Sequence, residues 1–148
     1  NKKLKFVTFR FGTITGFSQG MRFHTAANKF CLNAILKRPL TIWNNAMDLY
    51  RPYLSLDDAI KTIIFFINKK NFNNEIYNVL TANYTVRQIL QLIKNNGMKI
   101  KIKQTRSPIL NQTSYFVSRK KIEKLKINLS SGVDKDIRET LTAIKSFY

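Results

Sequence analysis

The hydrophobic positions of the chain follow two periods in turn, one typical of strands and one typical of helices. Residues 4–11 are β-branched and aromatic with little interruption, which predicts a largely buried strand. Residues 25–37 carry apolar side chains at helical spacing and end at Arg38-Pro39, so a helix is predicted there. Further strands are predicted over 40–43, 75–80 and 98–103, and further helices over 56–68, 86–96, 118–125 and 133–146. Strands that alternate with helices predict an α/β fold.

The segment 51–58, Arg-Pro-Tyr-Leu-Ser-Leu-Asp-Asp, predicts a short extended piece that turns directly into a buried helix. Ser55 and Asp58 have the spacing of a capping box, with a hydroxyl at the N-cap and a carboxylate three residues later. Arg51 precedes this helix, and a guanidinium fixed beside a helix start can present a planar fork to a phosphate. The alternative is that Arg51 forms an ion pair with Asp57 or Asp58.

Length and composition predict one ordinary core, since 148 residues include 44% hydrophobic side chains. No apolar run approaches the roughly 20 residues that span a bilayer, so no membrane partner is predicted. The single cysteine, Cys31, is typical of a reducing compartment, and a cytoplasmic protein is expected. Because His24 is the single histidine, a zinc site of the usual nitrogen and sulfur ligands is not expected.

The net charge of +18 raises the possibility of a nucleic-acid partner. Lysine, asparagine and isoleucine are abundant together, however, as AT-rich codons produce, and most lysines are scattered. The sequence therefore disfavours nucleic-acid binding but leaves it as an alternative. The lysines of that alternative are Lys99, Lys101, Lys103, Lys120, Lys121 and Lys124.

Five motifs occur in one order along nearly the whole chain. They are Arg10-Phe-Gly-Thr-Ile-Thr-Gly16, Asn28 within a helix, Arg51 to Asp58, Tyr77-Asn78-Val79, and Ser114-Tyr-Phe-Val-Ser118 followed by Lys120 to Leu125. Together they resemble the C-terminal half of the NAD-dependent epimerase/dehydratase family, the extended short-chain dehydrogenases that act on nucleotide sugars. The resemblance implies that residues 4–11 and 75–80 are strands of a partial Rossmann-type sheet. It implies that most of the remainder is a small α/β substrate-binding subdomain.

The resemblance implies roles for residues in the first third of the chain. Gly12 would contact the nicotinamide side of the cofactor. Thr13 would lie near the sugar diphosphate, where many family members carry asparagine. Asn28 would hydrogen-bond the nucleotide sugar. Residues 18–22 resemble a loop of one subfamily that covers the substrate, and Arg22 would reach the ligand from there.

It also implies roles for residues further along. Ile42 and Trp43 belong to the segment that lines the base pocket in the family. Arg51 and Arg106 match two arginines that bind the diphosphate. The acidic residue that usually follows the second arginine is missing, because residues 107–109 are Ser-Pro-Ile.

The catalytic parts of the family are missing from this sequence. Its chemistry uses a Tyr-x-x-x-Lys pair with a serine or threonine, and its cofactor lies on a glycine-rich turn. None of the six tyrosines has lysine four residues later, and no such turn occurs. The resemblance thus implies that residues 1–148 are a truncated or separately encoded half, not catalytic alone, that binds a nucleoside diphosphate sugar. NAD or NADP would belong to the complete enzyme, a homodimer, and would not bind this chain tightly. The missing N-terminal Rossmann half, from the same gene or a separate chain, would be its partner.

Overall fold

The computed structural model describes residues 4–106 and 113–148, which form seven strands and five helices. The strands are β1 (Val7–Phe11), β2 (Thr13–Thr15), β3 (Leu40–Trp43), β4 (Tyr50–Ser55), β5 (Glu75–Val79), β6 (Ala82–Thr85) and β7 (Ile102–Thr105). The helices are α1 (Ala26–Ile35), α2 (Leu56–Asn68), α3 (Val86–Asn95), α4 (Lys120–Glu123) and α5 (Val133–Lys145). Within these two ranges, no helix is long and apolar enough to cross a membrane.

The described strands form three small sheets. β1 pairs with β5 and β3 pairs with β7, both in parallel. The third sheet has the order β2-β4-β6, in which β2 is parallel and β6 antiparallel to β4. Because parallel neighbours need a long crossover, every parallel pair joins segments that are distant in sequence.

One core cluster lies between α1, α3 and α5, with β3 and β4 along its side. Phe30 of α1, Ile89 of α3 and Ile137 of α5 are all buried in it. Leu40 of β3 is fully buried against the same helices. Each large apolar side chain buried in this way contributes about 1.5–3 kcal/mol to folding. This cluster fixes α1 relative to β3.

A second core cluster joins α2 to the β1–β5 sheet. Phe66 of α2 packs edge-on against Phe9, with ring centroids 5.0 Å apart, and contacts Tyr77 at 5.2 Å. Ile122 of α4 and Leu129 close the cluster. Aromatic pairs in such geometry add about 0.5–1.5 kcal/mol beyond the burial of their area. The two clusters meet at β4, whose side chains Tyr53 and Leu54 enter one cluster each.

Several predicted elements differ from those observed. The first strand begins at Val7 instead of residue 4 and is half-buried, because β5 is its one neighbour among the described strands. The strand predicted over 98–103 is β7, which begins at Ile102, since its pairing with Leu40 sets the register. β2 and β6 were not predicted.

The capping box predicted at Ser55 and Asp58 is wrong. Ser55 is the N-cap residue of α2, but its side chain makes no capping hydrogen bond. Its backbone N–H donates to the hydroxyl of Thr81 at 2.8 Å, and that hydroxyl donates to Asp58 at 2.6 Å. Asp58 also accepts from the backbone N–H of Ser131 at 3.1 Å. The buried Asp58 carboxylate therefore connects α2 to Thr81 and to Ser131. The hydroxyl of Thr81, and not Asp58, accepts the hydrogen bond from the backbone N–H of the N-cap residue Ser55.

Candidate functional site

Helix α1 separates two clefts. Ala26, Lys29 and Phe30 face the first cleft, whereas Thr25 and Asn28 face the second. This division follows the helical period, because residues three or four apart lie on the same side of a helix. The first, here called the tryptophan cleft, has a volume of about 300 Å³ and is otherwise lined mainly by His24, Thr41, Ile42, Trp43, Arg51 and Tyr53. The second, here called the loop cleft, has a volume of about 450 Å³ and is otherwise lined mainly by Ile14, Gly16, Ser18, Met21, Arg22 and Leu56.

The tryptophan cleft contains three of the predicted site residues. Ile42 and Trp43 are the last two residues of β3, and Arg51 lies on β4. Since β3 and β4 belong to different sheets, tertiary packing and not sequence proximity brings them to one cleft. The cleft combines an indole, an aliphatic wall and a guanidinium, which suits a flat aromatic ligand that carries an anion.

Arg51 is held by backbone carbonyls. Its Nη1 donates to the carbonyl oxygens of Tyr50 at 2.7 Å and of Thr113 at 3.0 Å. Its guanidinium carbon lies 4.7 Å from the centroid of the Tyr115 ring. Among the described residues, no carboxylate lies within ion-pair distance of it.

The alternative pairing of Arg51 with one of the acids of α2 is therefore wrong. Asp57 binds Lys135 at 2.7 Å, and Asp58 accepts hydrogen bonds from buried partners. An arginine without a carboxylate partner keeps its full positive charge for another anion.

Two further titratable residues, His24 and Lys29, line the tryptophan cleft although neither was predicted as a site residue. Helical spacing offered one clue, because Lys29 follows Ala26 by three residues on α1. The position of His24 depends on the path of the loop before α1, which no local pattern indicates.

In the loop cleft, the predicted residues Arg22 and Asn28 lie together. The Asn28 side-chain amide donates to the carbonyl oxygen of Arg22 at 3.2 Å, and the Thr25 hydroxyl donates to the same oxygen at 3.0 Å. Asn28 is buried, so one function of its amide is to fix the loop that carries Arg22. The hydrogen bond of Asn28 to a ligand stays a prediction.

The other predicted site residues lie elsewhere. Gly12 lines a third cleft at the carboxyl ends of β1 and β5, and a Cβ there would lie 3.0 Å from the carbonyl oxygen of Pro52. A larger residue would press on the backbone of β4, so glycine favours this close approach of β1 to β4. Thr13 lies in β2 opposite Tyr53. Arg106 is exposed and follows β7, and the segment 107–109 after it lies outside the described residues.

Tyr53 is the tyrosine that lines the tryptophan cleft. Burial raises its pKa to about 12, and the positive charge of Arg51 opposes this shift. The phenol therefore stays protonated at physiological pH and does not supply the tyrosinate that a hydroxyl-deprotonating base requires. Burial likewise raises the pKa of the Cys31 thiol to about 12, so this cysteine is a small apolar core residue.

Behind the loop cleft lies a buried carboxyl, Asp136 of α5. It accepts hydrogen bonds from the hydroxyls of Thr15 at 2.5 Å and Ser55 at 2.9 Å. Burial raises its pKa to about 6, while the two hydroxyl donors oppose the shift. These bonds tie β2, β4 and α5 together beneath the wall of the cleft.

Neither a protein-family model nor a curated protein sequence matches the chain. Solved structures do match its fold. The UDP-glucuronic acid 4-epimerase of Bacillus cereus, solved with UDP-glucuronic acid and NAD, superposes with a TM-score of 0.81 at 20% identity, over 96% of this chain and 46% of that one. The UDP-glucose 4-epimerase of Bifidobacterium longum, solved with NAD⁺ and UDP, gives 0.79 at 15% identity, over 95% and 47%. The Thermus thermophilus UDP-glucose 4-epimerase, solved with NAD, gives 0.75 at 18% identity, over 98% and 48%.

This chain has about half of the epimerase fold. The match confirms the predicted resemblance and the predicted fold class, a partial Rossmann-type α/β structure. It does so at identities of 15–20%, at which likeness establishes the fold and not the reaction. The chain spans slightly less than half the length of each of these relatives.

Proposed function

We propose that this chain is the substrate-binding portion of a nucleotide-sugar epimerase or dehydratase, and that the tryptophan cleft binds the nucleoside diphosphate. The observation that carries the proposal is Arg51, a cation without a carboxylate partner among the described residues, which lines the same cleft as Trp43. The fold shared with UDP-sugar epimerases adds support.

In this proposal each side of the cleft recognises one part of the ligand. Trp43 and Ile42 pack against the base, since an indole face and an aliphatic side chain suit a flat heterocycle. The fork of Arg51 hydrogen-bonds the diphosphate, and Lys29 adds a second positive charge on the α1 side. The sugar extends toward the loop cleft, where Arg22 and Asn28 lie.

We assign no reaction step to this chain. Gly12 is its one predicted contact with a nicotinamide cofactor, and the sequence contains neither a glycine-rich phosphate turn nor a Tyr-x-x-x-Lys pair. In the complete enzyme, NAD or NADP would supply hydride transfer, and a Rossmann half from the same gene or a separate chain would bind it.

Two exposed features support such a Rossmann half as the partner. β1 pairs with β5 alone among the described strands, whereas parallel sheets in proteins are usually larger and covered on both faces. The outer side of α2 carries a stripe of isoleucines, with Ile60, Ile64 and Ile67 exposed to 46%, 50% and 57%. An apolar stripe at helical spacing on a surface helix indicates a contact surface. A parallel α/β unit can extend the sheet past β1 and cover this stripe.

Titration with UDP tests the binding proposal. The fluorescence of Trp43, the single tryptophan, is expected to change saturably, and Arg51→Ala should weaken UDP binding by about tenfold or more, as for loss of a charge-assisted hydrogen bond. Arg87→Ala is the control, because it removes an arginine that is exposed and pairs with Asp48. UDP, GDP, CDP and dTDP sugars that all leave Trp43 and the melting temperature unchanged would refute the proposal.

Co-expression tests the partner. The cofactor-binding half of the Bacillus cereus epimerase serves as the probe, since its other half shares this fold. Complex formation is expected by size-exclusion chromatography, with loss of the complex on Ile64→Asp. Ile102→Asp changes an equally apolar, exposed side chain on β7 and should leave the complex intact. Equal behaviour of the two variants would argue against α2 as the interface.

A further inference from the structure

Residues 113–117 run across the edge of the β2-β4-β6 sheet without forming a regular strand. The backbone N–H of Tyr50 donates to the Ser114 hydroxyl at 2.9 Å. Asn83 of β6 exchanges two hydrogen bonds of 3.0 Å with the backbone of Val117. The segment is thus fixed to both β4 and β6, and it carries the Tyr115 ring to the guanidinium of Arg51.

The contacts of Arg51 divide its guanidinium into two sides. Nη1 has two hydrogens, and the carbonyls of Tyr50 and Thr113 accept one each. No described residue accepts a hydrogen bond from Nε or Nη2. These two nitrogens form the edge that binds two oxygens of a phosphate side by side. The backbone therefore occupies one side of the fork, and among residues 4–106 and 113–148 nothing occupies the bidentate side.

The Tyr115 ring determines where that available edge lies. Arginine has four flexible side-chain torsions, and one hydrogen-bonded nitrogen still allows the guanidinium plane to rotate. The Tyr115 ring, whose centroid lies 4.7 Å from the guanidinium carbon, limits this movement, because the cation–π attraction favours the cation over the ring face and the ring fills the space on that side.

We propose that Tyr115 is a positioning residue that orients the Nε/Nη2 edge of Arg51 for a diphosphate in the tryptophan cleft. The inference rests on the proposed function and adds a residue that lies on a segment outside the lining of that cleft. It also makes binding at the cleft dependent on residues 113–117, because the Thr113 carbonyl fixes the other side of the same guanidinium.

The test is a titration of the unmodified chain and four variants with UDP, uridine and inorganic pyrophosphate. Tyr115→Leu should weaken UDP and pyrophosphate binding about two- to fivefold, as expected for loss of a cation–π contact. Tyr115→Phe keeps the ring and should bind within about twofold of the unmodified chain. Uridine, which has no phosphate, should bind Tyr115→Leu and the unmodified chain equally.

The double variant Arg51→Ala/Tyr115→Leu separates positioning from a general structural effect. It should bind UDP no more weakly than Arg51→Ala, because Tyr115 acts through Arg51. A further loss in the double variant, an equal loss for uridine, or no loss in Tyr115→Leu would overturn the inference. Melting curves identify any variant that is unfolded, and Tyr115 is half-exposed, so the leucine variant is expected to fold.

The same experiment distinguishes failure of this inference from failure of the proposed function. If UDP binding depends on Arg51 but the Tyr115→Leu variant binds UDP as tightly as the unmodified chain, the proposed function stands and the positioning role of Tyr115 is refuted. If none of the UDP, GDP, CDP and dTDP sugars binds the unmodified chain, the proposed function fails. Pyrophosphate binding that depends on both Arg51 and Tyr115 would then support the positioning role alone. Absence of pyrophosphate binding as well would overturn both.

Discussion

At the scale of single residues, Asp136 illustrates how a buried carboxyl can join elements that are far apart in sequence. It lies in the first turn of α5, is 3% exposed, and accepts hydrogen bonds from hydroxyls on β2 and β4. Burial raises its pKa from 3.8 to about 6 in spite of these donors. Removing water from the carboxylate therefore outweighs the stabilisation that two hydroxyls provide.

The raised pKa predicts a defined pH dependence of stability. The folded chain holds the Asp136 proton more tightly than the unfolded chain, so this group stabilises the fold most below about pH 4. The contribution declines as the pH rises through about 6, by about 3 kcal/mol in all, since one pKa unit corresponds to about 1.4 kcal/mol.

Asp136→Asn should abolish that decline. Urea unfolding of the asparagine variant and the unmodified chain, at several pH values between about 4 and 7, measures this effect. The contributions of other titrating groups cancel when the free energy of unfolding of one protein is subtracted from that of the other. The free energy of unfolding of the asparagine variant relative to the unmodified chain should rise with pH. A relative stability that is independent of pH would contradict the assignment.

At the scale of elements, two similar sequence patterns lead to different helix starts. Thr85 and Gln88 form a complete capping box at α3, with hydrogen bonds in both directions. Ser55 and Asp58 have the same spacing and form none. The difference arises because Asp58 is fully buried and accepts hydrogen bonds from distant segments, which a local pattern does not reveal.

Removing the observed cap should therefore destabilise the chain measurably. Thr85→Ala is expected to lower the free energy of unfolding by about 1 kcal/mol, because it leaves N-terminal N–H groups of α3 without an acceptor. Ser130→Ala, which changes an exposed loop hydroxyl, should alter stability by less than about 0.5 kcal/mol. Urea denaturation of the two variants makes the comparison, and equal effects would show that the Thr85 cap contributes nothing specific.

Elements that a local pattern specifies were predicted from the sequence. The strand over Leu40–Trp43 and the α2 and α3 helices occur where the periodicity indicated. β2 was not predicted, because its three residues become a strand only through pairing with β4. β7 was displaced for a similar reason, since its partner sets its register.

Residues of the candidate site were likewise predicted where a sequence motif marks them and missed where tertiary packing alone brings them together. Family resemblance identified Ile42, Trp43 and Arg51, and the fold brings them to one cleft. Resemblance did not indicate His24 or Lys29, which share that cleft. Nor did it indicate the contact between Arg51 and Tyr115, because 64 residues separate the two and no motif links them.

At the scale of the whole molecule, charge is the dominant physical feature. Basic side chains number 26 and acidic ones 8, so most positive charges have no acidic partner available. Lys121, one of the lysines of the nucleic-acid alternative, pairs with Glu75 at 2.6 Å. Binding of nucleic acid through the remaining lysines stays the disfavoured alternative. The repulsion among these charges acts on the fold whatever the ligand is.

Added salt should therefore stabilise the chain. Potassium chloride raised from about 0.01 M to about 1 M shortens the screening length from about 30 Å to about 3 Å and weakens this repulsion. The melting temperature is expected to rise by several degrees. In a Lys120→Glu/Lys124→Glu variant, which carries a smaller net positive charge, the rise should be smaller. A melting temperature that falls with salt would mean that attractive pairs outweigh repulsion.

The pairing of β1 with β5 has a consequence for synthesis of the protein. Val7 pairs with Glu75, about 68 residues later in the chain. At a translation rate of about 5–20 residues per second, β1 is made about 3–14 s before its partner strand. Throughout that interval this apolar, aromatic strand lacks β5, its one neighbour among the described strands. The nascent chain can aggregate while β1 is unpaired. The length of that interval, and any protein that binds the exposed strand during it, therefore affect how much of the chain folds.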